Sequence, residues 1–231
     1  MRKQLLIAFL LFSFYAKAQN LQLHYDLGSD RGYFTSTLEM FKPDKLGNTF
    51  FFVDMDYGSG GVKGISMAYW EIARVIKTEK MPIGIHMEFD GGFGAYNAGD
   101  LNHAYEINNA GLIGIDYSLT AKDFSKGVSL KLMYKYISGK HDASFQFTTV
   151  WFVNFWKERM TFSGFADFWR EDFDFNYDGE VDAEYVFLAE PQIWYHINKH
   201  FSFGGEIEFS NNFGGHYSFW TRPTLALKWT F

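Results

Sequence analysis

The chain contains no cysteine. Disulfides, a lipid-anchor cysteine and thiol chemistry are therefore excluded. It also lacks a long apolar run. The longest, Leu5 to Tyr15, has eleven residues, whereas a helix needs roughly 20 to cross a bilayer. Positive charge is in short supply too. There are 21 Lys and Arg against 27 Asp and Glu, for a net charge of −6, which argues against nucleic acid as a partner. The hydropathy of the whole chain is slightly polar, which does not fit a helical membrane protein.

The chain is instead rich in aromatics, at 21%, far more than a core of this size requires. It opens on a short basic stretch, Arg2 and Lys3. The apolar run Leu5 to Tyr15 follows, and then Ala16-Lys17-Ala18. This order reads as a secretory signal peptide cut after Ala18, leaving residues 19–231 as one exported domain. Removing the leader takes three basic residues away and makes the exported chain more acidic still.

Residues 222–231 set the pattern for the rest. Pro223, Leu225, Leu227, Trp229 and Phe231 alternate with Arg222, Thr224, Ala226, Lys228 and Thr230. Period-two alternation marks a strand with one apolar and one polar face. About ten residues is the length of a tilted membrane-spanning strand, and the terminal Phe resembles the closing-strand signal of bacterial outer-membrane barrels. The same alternation recurs along residues 19–231 and predicts twelve strands, an even number as such barrels require. The stretches 91–109 and 170–182 read as long loops on the extracellular side. The connections expected on the periplasmic side are short and basic. The predicted fold is all-β: a 12-stranded antiparallel transmembrane outer-membrane β-barrel, its aromatics forming belts at both interfaces.

With apolar residues toward lipid, the alternate set lines the lumen. It comprises Asp54, Glu71, Arg74, His86, Glu88, Asp90, Asp116, Lys131, Lys135, Glu190, Gln192, Trp194, Glu206, Glu208, Arg222 and Lys228. Eight strands leave room only for side chains, and sixteen or more leave an open channel; twelve predicts a narrow polar passage. Acids and bases facing each other across it would form a constriction. Strand four is ambiguous, because Glu71 and Arg74 fall on opposite parities. Either a bulge turns both inward, or Arg74 lies at the periplasmic interface.

Several segments resemble the Tsx-like nucleoside-specific channel-forming family of the outer membrane and its Bacteroidetes relatives. They are Phe52-Val53-Asp54, Tyr69-Trp70-Glu71-Ile72-Ala73-Arg74, Ser163-Gly164-Phe165-Ala166-Asp167-Phe168-Trp169 and Glu190-Pro191-Gln192-Ile193-Trp194-Tyr195, together with the last strand. The resemblance implies a twelve-stranded barrel with a narrow pore that passes nucleosides. The acid of strand four sits at a different offset from Arg74 than in the family. Trp194 and Glu190 share a face and would suit a base and a sugar.

Two further motifs carry other chemistry. His216-Tyr217-Ser218 has the His-x-Ser spacing of outer-membrane lipid A deacylases, in a chain otherwise expected not to be an enzyme. Asp174, Asn176, Asp178, Glu180 and Asp182 fit the first nine positions of a calcium loop of EF-hand type, but Tyr185 occupies the place of its bidentate acid. Calcium is thus the one cofactor to consider. The expected partners are outer-membrane lipid, small solutes such as nucleosides, and the barrel-assembly machinery that reads the last strand, with the chain as a monomer.

Overall fold

The computed structural model describes residues 19–78, 82–140, 144–176 and 178–231. The predicted leader lies outside the described residues. Thirteen strands follow one another: β1 (Gln19–Asp26), β2 (Phe34–Asp44), β3 (Gly47–Tyr57), β4 (Ile65–Ile76), β5 (Ile83–Ala98), β6 (Leu101–Thr120), β7 (Lys126–Ile137), β8 (Ser144–Phe155), β9 (Met160–Phe173), β10 (Ala183–Ala189), β11 (Gln192–His196), β12 (Phe201–Asn211) and β13 (Phe219–Thr230). β10 and β11 are the two halves of one strand. Their register with β12 runs on unchanged across the gap, from Ala189 opposite Phe209 to Gln192 opposite Glu206. The gap falls at Glu190-Pro191 because proline has no N–H to give a neighbouring strand. Gly164 sits against this break, and a Cβ there would come within 2.4 Å of the Glu190 carbonyl oxygen.

With β10 and β11 counted as one, each strand pairs antiparallel with the next in the chain, and β1 pairs with β13. The sheet therefore closes on itself as a 12-stranded barrel with no free edge, the arrangement that satisfies every backbone group in a membrane.

The two faces follow the alternation read in the sequence. Along β1, Leu21 and Leu23 are each 44% exposed while Gln22 and His24 are 1% and 2% exposed. Leu225, Leu227 and Trp229 of β13 likewise look outward, with Arg222 and Ala226 inside. Apolar side chains outside and polar ones inside invert a soluble protein's plan and define a lipid-facing surface. Aromatic contacts lie near both ends of the strands. Phe201, His200 and Trp229 cluster at the end where Gln19 and Phe231 lie, and Tyr25 meets Phe34 at the other.

The long loop predicted for 91–109 is instead a hairpin. β5 and β6 stay paired as far as Ala98 and Leu101, across a two-residue turn in which Gly99 takes φ +64°. Beyond the bilayer both faces of a hairpin meet water, so the apolar–polar alternation that reveals a strand fades while the backbone ladder continues. β9 likewise extends to Phe173, into the predicted loop 170–182.

Not all of the interior is polar. Ala110, Leu112, Met133, Ile137, Trp169, Val186 and Leu188 form a buried cluster on the inner face of β6, β7, β9 and β10. Phe213, from the β12–β13 connection, packs its ring against Trp169 with centroids 6.0 Å apart. This connection therefore folds inward over one mouth of the barrel.

Candidate functional site

The lumen carries its charges in two groups. The first lies at the mouth, where β1, β12 and β13 end. Arg222 is 1% exposed. Its Nη1 donates to Glu208 Oε1 at 2.6 Å, and its Nε and Nη2 donate to Asp30 at 2.8–3.1 Å. Arg31 bridges Asp26 and Glu208, each at 2.7 Å. Such hydrogen-bonded guanidinium–carboxylate pairs are the strong kind of ion pair. The hydrogen bonds from Arg222 hold the Asp30 carboxyl below the usual carboxylate range. His216 stands beside Asp30 at 3.7 Å, and loss of hydration together with nearby Arg222 pushes its pKa down. Its partners include Asp30 and the Trp220 ring, while the Ser218 amide donates to Asn212.

Below this knot, Gln192 donates to Glu206 at 2.8 Å, and Trp194 Nε1 donates to Gln192 at 2.9 Å. Trp194 is fully buried. Lys228 Nζ covers its ring at 3.8 Å from the centroid, and His24 meets it edge-on at 5.9 Å. His24 also bonds Thr224 across the β1–β13 seam at 2.9 Å. Glu190 lies within electrostatic reach of Glu206, Glu208 and Asp54. Asp54 accepts from Thr37 at 2.5 Å.

The second group lies across the barrel. Glu71 of β4 stands directly opposite Asp90 of β5, and Glu88 projects from the same face two residues along. Ligand oxygens of these three acids lie within 4.8 Å of one another. Tyr69 Oη donates to Glu71 at 2.9 Å, and His86, itself buried, bonds Glu88 at 2.7 Å. Asp90 is 4% exposed and its Oδ1 has no hydrogen-bond partner. Lys135 Nζ is engaged by Gln146 at 2.6 Å and lies over the Trp169 ring. Asp116 accepts from Ser118 and Ser129, in register with Lys131.

One expected lumen residue lies elsewhere. Arg74 points outward and pairs with Asp44 at the periplasmic rim, at 2.5 and 2.9 Å, with Thr49 at 3.0 Å. The register of β4 with β3 shifts only between Asp56 and Tyr57. From there β4 runs regularly to its end, so with Glu71 inside, Arg74 must be outside. It is tolerated because it sits two residues from the end of the strand. Asp26, Asp30, Arg31, Tyr69 and Asp167 join the lumen group without having been singled out. Asp26 continues the Gln22 and His24 row and was legible by parity; Asp30 and Arg31 lie in a turn with no periodicity to read.

The 174–182 loop closes on itself. Asp174 accepts from the amides of Asp178 and Gly179, and Asp182 from Phe175, Asn176 and the Asn176 side chain. Among the described residues, ligand atoms of Glu71, Glu88 and Asp90 converge for a metal.

Closed barrel, apolar exterior and charged lumen together define a transmembrane β-barrel of outer-membrane type. The chain belongs to the family described as a domain of unknown function, DUF5020, whose model matches residues 18–231. No curated protein matches it. It is similar in structure to the NanC porin, with a TM-score of 0.59 and 10% identity over 93% of this chain and 100% of that one. It is also similar to the KdgM porin, with a TM-score of 0.54 and 10% identity over 93% of this chain and 99% of that one. A second structure shows KdgM in complex with disordered oligogalacturonate. At these identities the likeness is one of fold, and none of these names the Tsx-like family.

Proposed function

We infer that this protein is an outer-membrane channel for passive diffusion of small polar solutes, with nucleosides the class to which its sequence resemblance points. The observation that carries this reading is the row of ionisable side chains turned inward on most strands of a closed barrel, where only water or a polar solute suits them. The structural neighbours are named porins, which agrees with it. Acids outnumber bases in this lumen, so neutral and cationic solutes suit it better than polyanions such as the oligogalacturonate of KdgM. Trp194 offers no free face for stacking a base, since Lys228 covers it; any contact with sugar hydroxyls falls to Glu190, Glu206 and their neighbours.

The test is uptake by liposomes carrying the refolded barrel. Labelled nucleosides should enter faster than into empty vesicles, and faster than a sugar acid of equal size. Entry no faster than into empty vesicles removes the channel reading, and equal entry of the sugar acid removes the selectivity.

A second reading, a closed barrel with a structural or recognition role, is favoured by Phe213 packed inward on Trp169 at the mouth. Planar-bilayer recordings separate the two, because a closed barrel gives no conductance steps.

A further inference from the structure

The inner faces of β4 and β5 present an arrangement that two adjacent strands should avoid. Like charges directly opposite each other destabilise a sheet, yet Glu71 faces Asp90, and Glu88 adds a third carboxylate within the same 4.8 Å group. At the mouth, Asp26, Asp30 and Glu208 are met by arginines at contact distance. Here, among the described residues, His86 is the basic group in contact with the three, while Lys131 and Lys135 act on Glu88 and Asp90 only from beyond ion-pair distance.

The carboxylates are nonetheless placed with care. Tyr69 fixes one oxygen of Glu71 and His86 fixes one oxygen of Glu88, which leaves the second oxygen of each for another ligand. The Glu88 side chain is 5% exposed and His86 fully buried. Asp90 is 4% exposed and keeps a carboxylate oxygen with no partner. An unpartnered buried carboxylate is costly unless a cation meets it or a proton neutralises it, and hydrogen bonds that orient ligand groups from behind are a habit of metal sites.

We propose that Glu71, Glu88 and Asp90 form a binding site for a hard divalent cation, Ca²⁺, on the wall of the lumen. All-oxygen, acid-rich ligation suits Ca²⁺, which takes 6–8 oxygens and accepts irregular geometry; water in the lumen supplies the remainder. The site stands on the barrel wall whether or not the pore is open, so it does not depend on the channel reading. It is also separate from the 174–182 loop.

Terbium luminescence of the full barrel refolded in detergent tests it, with Tb³⁺ as the Ca²⁺ probe and Tyr69 and Trp70 as sensitising rings. The expected result is sensitised emission at neutral pH that Ca²⁺ displaces, and at least tenfold weaker Tb³⁺ binding in both Asp90→Asn and Glu71→Gln. Both substitutions remove a repulsive charge, so folding should survive, which the heat-modifiable shift on gels verifies. Asp178→Asn, in the 174–182 loop, should bind as the parent does. The proposal is overturned if no emission appears, if the Asp90 and Glu71 variants bind as tightly as the parent, or if Asp178→Asn alone abolishes the signal.

Discussion

At the mouth of the barrel, Asp26, Asp30 and Glu208 are met by Arg31 and Arg222 at hydrogen-bond distance. Near the centre of β4, Glu71, Glu88 and Asp90 are met by a phenol and an imidazole. The first group uses up its charge on itself and fastens the 27–33 turn to the barrel wall. In the second, Lys131 and Lys135 act on Glu88 and Asp90 only from beyond contact distance. Net charge alone would have described both as acidic lumen; what differs is whether each carboxylate has a counter-ion at contact distance. Saturated groups hold a barrel together, and unsaturated ones are where a solute or ion can act.

This contrast can be broken from either side. The largest effect should come from Arg222→Met. It leaves Glu208 and Asp30 in place without their main partner, and breaking a buried pair in this way costs about 3–5 kcal/mol. Denaturant unfolding of the refolded barrel should show that loss; an unchanged midpoint would deny the knot its structural role. A smaller effect of opposite sign is expected from Glu71→Gln with a chelator present. Relief of a like-charge cross-strand pair should raise stability by up to about 1 kcal/mol, measured in the same unfolding experiment.

Acid should loosen the mouth. The Asp30 pKa is depressed below its ordinary 3.8 by Arg222, so the stability it contributes is complete above the unfolded value and is lost as pH falls through the lower folded one. The turn should stay fastened at pH 5 and release only below about 3.8. Trp220, whose ring lies 4.8 Å from the Arg222 guanidinium, should report the release by fluorescence. A change centred above the carboxylate range but below the ordinary imidazole value would instead point to His216. The smallest effect belongs to the rim: Arg74→Leu should leave the melting temperature unchanged within error, because an exposed ion pair adds little.

The barrel itself was legible in the sequence because lipid outside and charge inside impose a period of two on every spanning strand. Leu21 and Gln22, or Leu227 and Lys228, are enough to assign inside and outside. That logic weakens wherever the constraint does. The β5–β6 hairpin beyond Phe93 has water on both faces and carries no alternation, so it read as loop. Arg74 kept the regular parity of β4, and its rim position decided what that parity meant. Asp30 and Arg31 lie in a turn, where no periodicity tells which way a side chain points. The convergence of Glu71, Glu88 and Asp90 needed the register of β4 against β5, which the sequence of neither strand contains.

The seam between β1 and β13 has a consequence in time. Every other pairing joins strands that follow each other closely along the chain, and can form as soon as a hairpin turns. The seam joins the two ends of the domain, as in the His24–Thr224 bond between residues 200 positions apart. Contacts of such long sequence separation are slow to form, because loop-closure entropy must be met before they contribute anything. Until they do, β1 and β13 are two open edges able to pair with other chains. The unclosed sheet is thus the vulnerable species in this protein's biogenesis, and weakening the seam should lengthen its lifetime before it alters the finished barrel.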